Sequence, residues 1–330
     1  MAKKAGEPTK NKKSVLAGQV KETIEPDRLL DNKKVEQIIK HERVHFAGLG
    51  YSWAAVTGSD PRVVLPQVVA TVLNAGGTRP AWQWQHKDLD YVLMAWPKDQ
   101  PLRAAVLMQG EAKQKLKPIN AFPLLEGLPN DLTVETVKPL EAGCAANVGC
   151  TMQEGQNPMW FYDPLYVRDS QDLTPGVTHT FLMAGLAYGV RHALLDEITV
   201  LNGPVFEEYA KAWLEENPDK TRLDVPSLKI NVVGKRLIQP GDVFGEYQIR
   251  TVIDDIDDCI LDKMPAKIIY TQFPFADRPP LTLPIYATKA SLKDYVPEKG
   301  HEIDAYVWLQ GRVVDFNDEE PNNKSEEANS

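Results

Sequence analysis

The chain has 330 residues, 43% of them hydrophobic and 25% charged, with 37 lysines and arginines against 46 aspartates and glutamates for a formal charge of −9. That composition excludes collagen-like, coiled-coil and wholly disordered chains, and the length suggests about two domains, since a single core rarely grows past roughly 250 residues. A net negative chain repels phosphate backbones unless it gathers positive charge locally, and no apolar run reaches the roughly 18 residues of a membrane helix.

Residues 1–14, MAKKAGEPTKNKKS, hold five lysines and no apolar stretch. They read as part of a disordered basic tail, residues 1–30, and not as a secretory signal. DNKKVEQIIKHERVHFA (31–47) reads as a helix capped by Asp31 or Asn32 and stopped by Gly48 and Gly50, with Val35, Ile38, Ile39 and Phe46 near helical spacing. A second helical pattern covers 61–75, where Pro66 fits the first turn because no amide donor is needed there. AWQWQ (81–85), DYVLMAW (90–96) and LRAAVLM (102–108) are short extended runs bounded by turn residues. Residues 116–140 are punctuated by Pro and Gly and read as loop, with one strand near Leu132–Val137. PMWFYDPLYVRD (158–169) opens with a buried strand that ends at Asp163-Pro164, since a residue before proline is driven extended. Gly176–Val200 is apolar all round from Phe181 to Val190, the pattern of a buried helix. Pro204–Asn217 reads as an amphipathic helix.

From Ser227 the period changes from 3.6 to 2, with a domain boundary expected near 235–242. Glu246–Ile253, Lys267–Phe273, Leu281–Ala287, Leu292–Val296 and Glu302–Val314 are short extended runs at the spacing of a small antiparallel barrel. The expected architecture is α+β. A mixed α+β domain spans 31–238, a small OB-like antiparallel β-barrel spans 239–316, and an acidic disordered tail spans 317–330.

Strand alternation gives the sharpest functional inference. In Glu302–Arg312 the aliphatic Ile303, Ala305, Val307 and Leu309 point one way and Asp304, Tyr306, Trp308 and Gln310 the other. The aliphatic set belongs in the barrel, because the opposite choice buries an aspartate. Tyr306, Trp308, Gln310 and Arg312 then form an outward row, joined by Tyr286 from the neighbouring strand. Exposed Tyr, Trp and Arg are the residues of protein-binding hot spots. They also make stacking platforms for single-stranded nucleic acid, but residues 241–315 hold 8 basic against 13 acidic side chains, the wrong sign for that role. The same row, packed under the N-terminal domain, would be an inter-domain contact.

His41-Glu42-Arg43-Val44-His45 matches H-E-x-x-H, which on a helix puts two imidazoles on one face with the glutamate as general base for a zinc-bound water. With Gly48 it resembles the start of the metzincin signature over eight residues, although Tyr51 stands where that family carries its third histidine. A plain amphipathic helix is the preferred account of the pattern. Cys144, Cys150 and Cys259 lack the paired spacing of a zinc site and read as free thiols in a reducing compartment. Asp254, Asp255, Asp257 and Asp258 read as a solvated turn or bulge, and Asp163 and Asp169 as turn residues. The expected function is a cytoplasmic, non-enzymatic interaction or scaffold module without cofactor or bound metal, its partner a protein or a second copy. The alternatives are a zinc hydrolase at His41, Glu42 and His45 and single-strand binding by the barrel.

Overall fold

In the computed structural model the described residues are 50–76, 81–140, 143–151, 158–261, 263–275 and 278–314. The chain opens with α1 (Gly50–Thr57) and α2 (Pro61–Gly76), followed by β1 (Trp82–His86), β2 (Leu89–Trp96), β3 (Leu102–Glu111) and β4 (Lys117–Leu125). These four strands make one antiparallel sheet in sequence order. Next come β5 (Leu128–Pro139), β6 (Ala146–Thr151), β7 (Met159–Asp163), the short α3 (Tyr166–Asp169) and the long β8 (Thr178–His192). β9 (Glu197–Val200), α4 (Pro204–Glu216) and β10 (Leu228–Asn231) form an excursion that carries its own two-stranded ribbon. The chain then runs through β11 (Leu237–Pro240), β12 (Glu246–Val252), β13 (Asp255–Leu261), β14 (Met264–Phe273), β15 (Leu281–Thr288), the short α5 (Lys289–Leu292) and β16 (Glu302–Val313).

The fold is mostly β with few helices, consistent with α+β. A ten-stranded sheet takes β5–β8 and β11–β16 together, so the boundary expected at 235–242 does not interrupt it. Within it the pairings run in a circuit. β5 pairs with β6, β6 with β7, β7 with β16 in parallel, β16 with β8, and β8 back with β5. Two cores result. One lies inside the large sheet and takes Phe161, Phe181, Met183, Ile285, Ile303, Val307 and Leu309. The other lies between the large sheet's opposite face and the four-stranded sheet with α1 and α2, and takes Trp53, Val69, Phe122, Tyr162, Leu186, Tyr286 and Trp308. Each fully buried Leu, Val or Phe contributes about 1.5–3 kcal/mol relative to exposure.

Five expectations are corrected. Gly176–Val200 is not a helix: residues 178–192 form β8, apolar all round because Ala184 and Leu186 face one core while Phe181, Met183 and Ala187 face the other. A strand covered on both sides loses its alternation and imitates a buried helix. A bulge adds to the confusion: β8 pairs Tyr306 with Gly189 and Val307 with Ala187, leaving Tyr188 as the extra residue that flips the parity. Residues 116–140 are two strands, β4 and β5, with Gly127 between them; a Cβ there would lie 2.5 Å from the Leu182 carbonyl carbon. The acidic run 254–258 is not a turn throughout: from Asp255 it is the start of edge strand β13. Leu292–Val296 is not a strand, its first residue closing α5. Pro66 sits in the second turn of α2 instead of the first.

Candidate functional site

The alternation of β16 is as the sequence implies: Ile303, Ala305, Val307 and Leu309 enter the inner core. The other face does not meet solvent. Trp308 is 5% exposed and Tyr286 1%, and Gln310 and Arg312 are also buried. The expected outward row is thus corrected to the seam between the two sheets, and only Tyr306 among its five residues is half-exposed. The reason is that β4 and β1 lie across it. Gln310 donates from Nε2 to the Pro123 carbonyl at 2.8 Å and accepts at Oε1 from the Leu125 amide at 2.9 Å. Tyr286 donates its hydroxyl to the Glu126 carbonyl at 2.8 Å. Trp308 lies 5.2 Å from the Tyr162 ring, whose hydroxyl accepts from Asn120 Nδ2 at 2.8 Å. The Arg312 guanidinium stacks 5.1 Å over Trp82, which Arg103 also approaches at 5.9 Å. Tyr306 donates to Glu246, and this bond with burial pushes its phenol up to about 12. Burial raises the Tyr162 and Tyr286 phenols further, and each hydroxyl is a hydrogen-bonding anchor between the sheets.

The remaining chemistry-bearing groups are similarly engaged. Asp163 accepts from the Leu165 amide at Oδ1 (2.8 Å), a turn-forming bond, while Oδ2 has no partner among the described residues. Burial, reinforced by Asp169, holds its carboxyl well above the usual carboxylate range. Asp169 takes a two-pronged bond from Arg168 at 2.6 and 2.9 Å. In the acidic run, Asp254 pairs with Arg236, Asp255 with Lys299 at 3.4 Å and Asp258 with Lys267 at 2.7 Å. All three cysteines are buried; desolvation raises Cys144 and Cys259 to about 11 and Cys150 higher still. His179 and His192 both lie on β8, the latter bonded through Nδ1 to the Ala193 carbonyl oxygen at 3.1 Å. Among the described residues no group of three His, Cys, Asp or Glu side chains could hold a metal, and no helix is long and apolar enough to cross a membrane. His41, Glu42 and His45 lie outside the described residues. Two recesses are shallow, one of about 380 Å³ along α4 (Glu207, Lys211, Leu214, Glu215, Arg222), the other of about 260 Å³ beside Arg236 and Arg278.

Two surface features escape sequence reasoning. The first is the excursion 193–235, in which only Phe206, Ala210 and Val232 are buried. Leu194, Leu195, Leu201, Val205, Leu223 and Val233 are all exposed on it, Leu223 at 96%. The arm is tied down at its root, where Arg250, itself held by Asp304 at 2.8 and 3.1 Å, donates to the Leu195 carbonyl. The helical reading of 176–200 absorbed Leu194 and Leu195 and hid this excursion. The second is an aromatic notch: Trp160 on β7 and Phe244 in the β11–β12 turn lie 4.6 Å apart, and the Lys138 ammonium sits 4.6 and 4.3 Å from the two rings. No alternation signal pairs residues so far apart in the chain. No family model, no curated protein and no solved structure matches the chain.

Proposed function

We propose that this chain is a non-enzymatic protein-interaction module and that the excursion 193–235 is its engaging surface. The observation carrying the proposal is the six exposed Leu and Val side chains on a segment that buries only three residues of its own. Scattered single apolar residues need no explanation, and it is the concentration of six on one short excursion that supports the reading. The scaffold is read as OB-like, in different strands from those expected: β5, β6, β7, β8 and β16. Their five-membered circuit, the parallel β7–β16 pair and the short α3 between β7 and β8 support that reading. On it the excursion belongs to the long insertion between the fourth and fifth strands, a position OB-type barrels use for ligands. Fold alone does not assign function; the exposed apolar side chains are what supports the reading.

The test is affinity capture from the native host with the full chain and with a Leu201→Asp/Leu223→Asp variant. A partner retained by the wild type and lost by the variant is expected. Equal capture by both, or none by either together with no self-association, overturns the reading. A second reading, single-stranded nucleic acid across β6 and β7, is favoured by the Trp160–Phe244–Lys138 notch on that face. It requires oligonucleotide affinity that falls steeply with salt and is lost in Trp160→Ala. A zinc hydrolase at His41, Glu42 and His45 requires stoichiometric zinc that His41→Ala abolishes.

A further inference from the structure

Two imidazoles meet where β8 ends and β16 begins. The β8–β16 register sets His192 opposite Ile303. His301 closes the turn that leads into β16, its amide bonded to the Glu298 carbonyl at 3.1 Å. The His192 and His301 ring centroids lie 5.5 Å apart at 48°, and the Tyr295 ring stands 6.4 and 6.1 Å from them. Each imidazole meets an oxygen at Nδ1. His192 donates from Nδ1 to the Ala193 carbonyl oxygen at 3.1 Å, so the lone pair of the neutral ring is on Nε2. His301 Nδ1 lies 3.1 Å from the Tyr295 hydroxyl. That hydroxyl can accept from Nδ1–H, which again leaves Nε2 as the lone-pair nitrogen. A histidine that ligates a metal is held in this way, one ring nitrogen donating to an oxygen and the other binding the ion.

We propose that His192 and His301 bind one divalent transition metal through their Nε2 atoms, with solvent completing its coordination. The spacing agrees. With metal–nitrogen bonds of about 2.0–2.1 Å, a ring centroid stands about 3.2 Å from the ion, and two rings at about 90–120° to one another are about 4.5–5.5 Å apart. The charge agrees as well. Glu298 Oε2 is 3.6 Å from His301 Nε2 and offers a negative charge beside the ion. The two cations nearest in sequence are engaged elsewhere, Arg191 with Asp304 at 3.8 Å and Lys299 with Asp255 at 3.4 Å. Imidazole donors select zinc, copper or nickel over magnesium and calcium. Three protein ligands are not gathered at this point, so the site is an open one: His192 is exposed and the Glu298 side chain is 71% exposed, and the remaining positions on the ion are left to water or to an external donor. Bound there, the ion ties the end of β8 to the turn that enters β16.

The experiment is calorimetric titration of the chelator-treated full chain with Zn²⁺ alone. It is run in a His41→Ala/His45→Ala background, so that zinc at that motif is not counted. One equivalent is expected. His192→Gln and His301→Gln should each weaken its affinity by about tenfold or more. Tyr295 is a positioning residue, and Tyr295→Phe should cost about tenfold in affinity while leaving the stoichiometry at one. Zn²⁺ should raise the thermal midpoint of the background protein and not that of its His192→Gln variant. His192 is solvent-exposed, so circular dichroism of that variant should be unchanged, and it carries the test if His301→Gln fails to fold. Cu²⁺ should displace the bound Zn²⁺. A background protein that takes up no zinc at millimolar concentration, or that binds it with an affinity indifferent to His192→Gln, overturns the proposal.

Discussion

Gln310→Leu removes one amide and leaves two backbone groups of another sheet without partners. The Gln310 side chain is 3% exposed and stands in for a missing strand beside β4, offering a donor to Pro123 and an acceptor to Leu125. Leucine has nearly the same volume, so packing is conserved and the loss is polar. Each net hydrogen bond is worth about 0.5–1.5 kcal/mol, and each group left buried and unbonded costs about 1–3 kcal/mol. The two penalties together predict a destabilisation of about 2–6 kcal/mol, read as a lower urea midpoint at unchanged slope in tryptophan fluorescence. Gln310→Glu keeps the acceptor for Leu125 but aims a carboxylate oxygen at the Pro123 carbonyl. It should cost at least as much at neutral pH and less at low pH, where a protonated carboxyl can donate. A Gln310→Leu protein within about 0.5 kcal/mol of wild type, the range of an ordinary surface change, would refute the claim that this side chain fastens the two sheets together.

Gly127→Ala should destabilise by about 3 kcal/mol or more, because the new Cβ meets the Leu182–Met183 backbone at 2.5–2.6 Å and no rotamer relieves it; chemical denaturation measures it, and a neutral result would mean β4 and β5 do not turn as described. Asp163 has a folded-state pKa raised by burial, so its contribution to stability is full below the ordinary carboxylate pKa of about 4 and is lost as pH rises through the raised value. Asp163→Asn should therefore gain on wild type as the pH of the urea titration increases, and a difference independent of pH would refute the buried neutral carboxyl. With Cys144 and Cys259 raised to about 11 and Cys150 higher, thiol-specific reagent at pH 8 should find almost no reactive cysteine in the native protein and three after unfolding; one fast native thiol would contradict their burial.

What the sequence reveals here follows from which faces are wet. β1, β2, β7 and α4 have boundaries within about two residues of those expected, because turn residues mark their ends. The parity of β16 is legible for the same reason that it misleads. Alternation separates Val307 from Trp308, but it does not say whether the second face meets water or another sheet. The deciding contacts, Gln310 with Leu125 and Tyr286 with Glu126, join residues 185 and 160 positions apart, beyond any local pattern. β8 fails differently, since burial on both sides erases alternation and its bulge at Tyr188 resets what remains. Edge strand β13 is masked by its own aspartates, which blunt an open edge as lysines elsewhere do.

The position of β16 bears on how the chain reaches its native state. It is hydrogen-bonded to β12, β8 and β7, and the circuit of five strands is incomplete without it. A polypeptide made from its amino end must hold the flanks of β7 and β8 unsatisfied while more than a hundred further residues are synthesised, a long interval for exposed strand edges in a crowded cell. Assembly should accordingly be slow, as expected where distant segments must meet before any of them is rewarded, and recombinant yield should depend on chaperone supply and temperature more than on the equilibrium stability of the finished molecule.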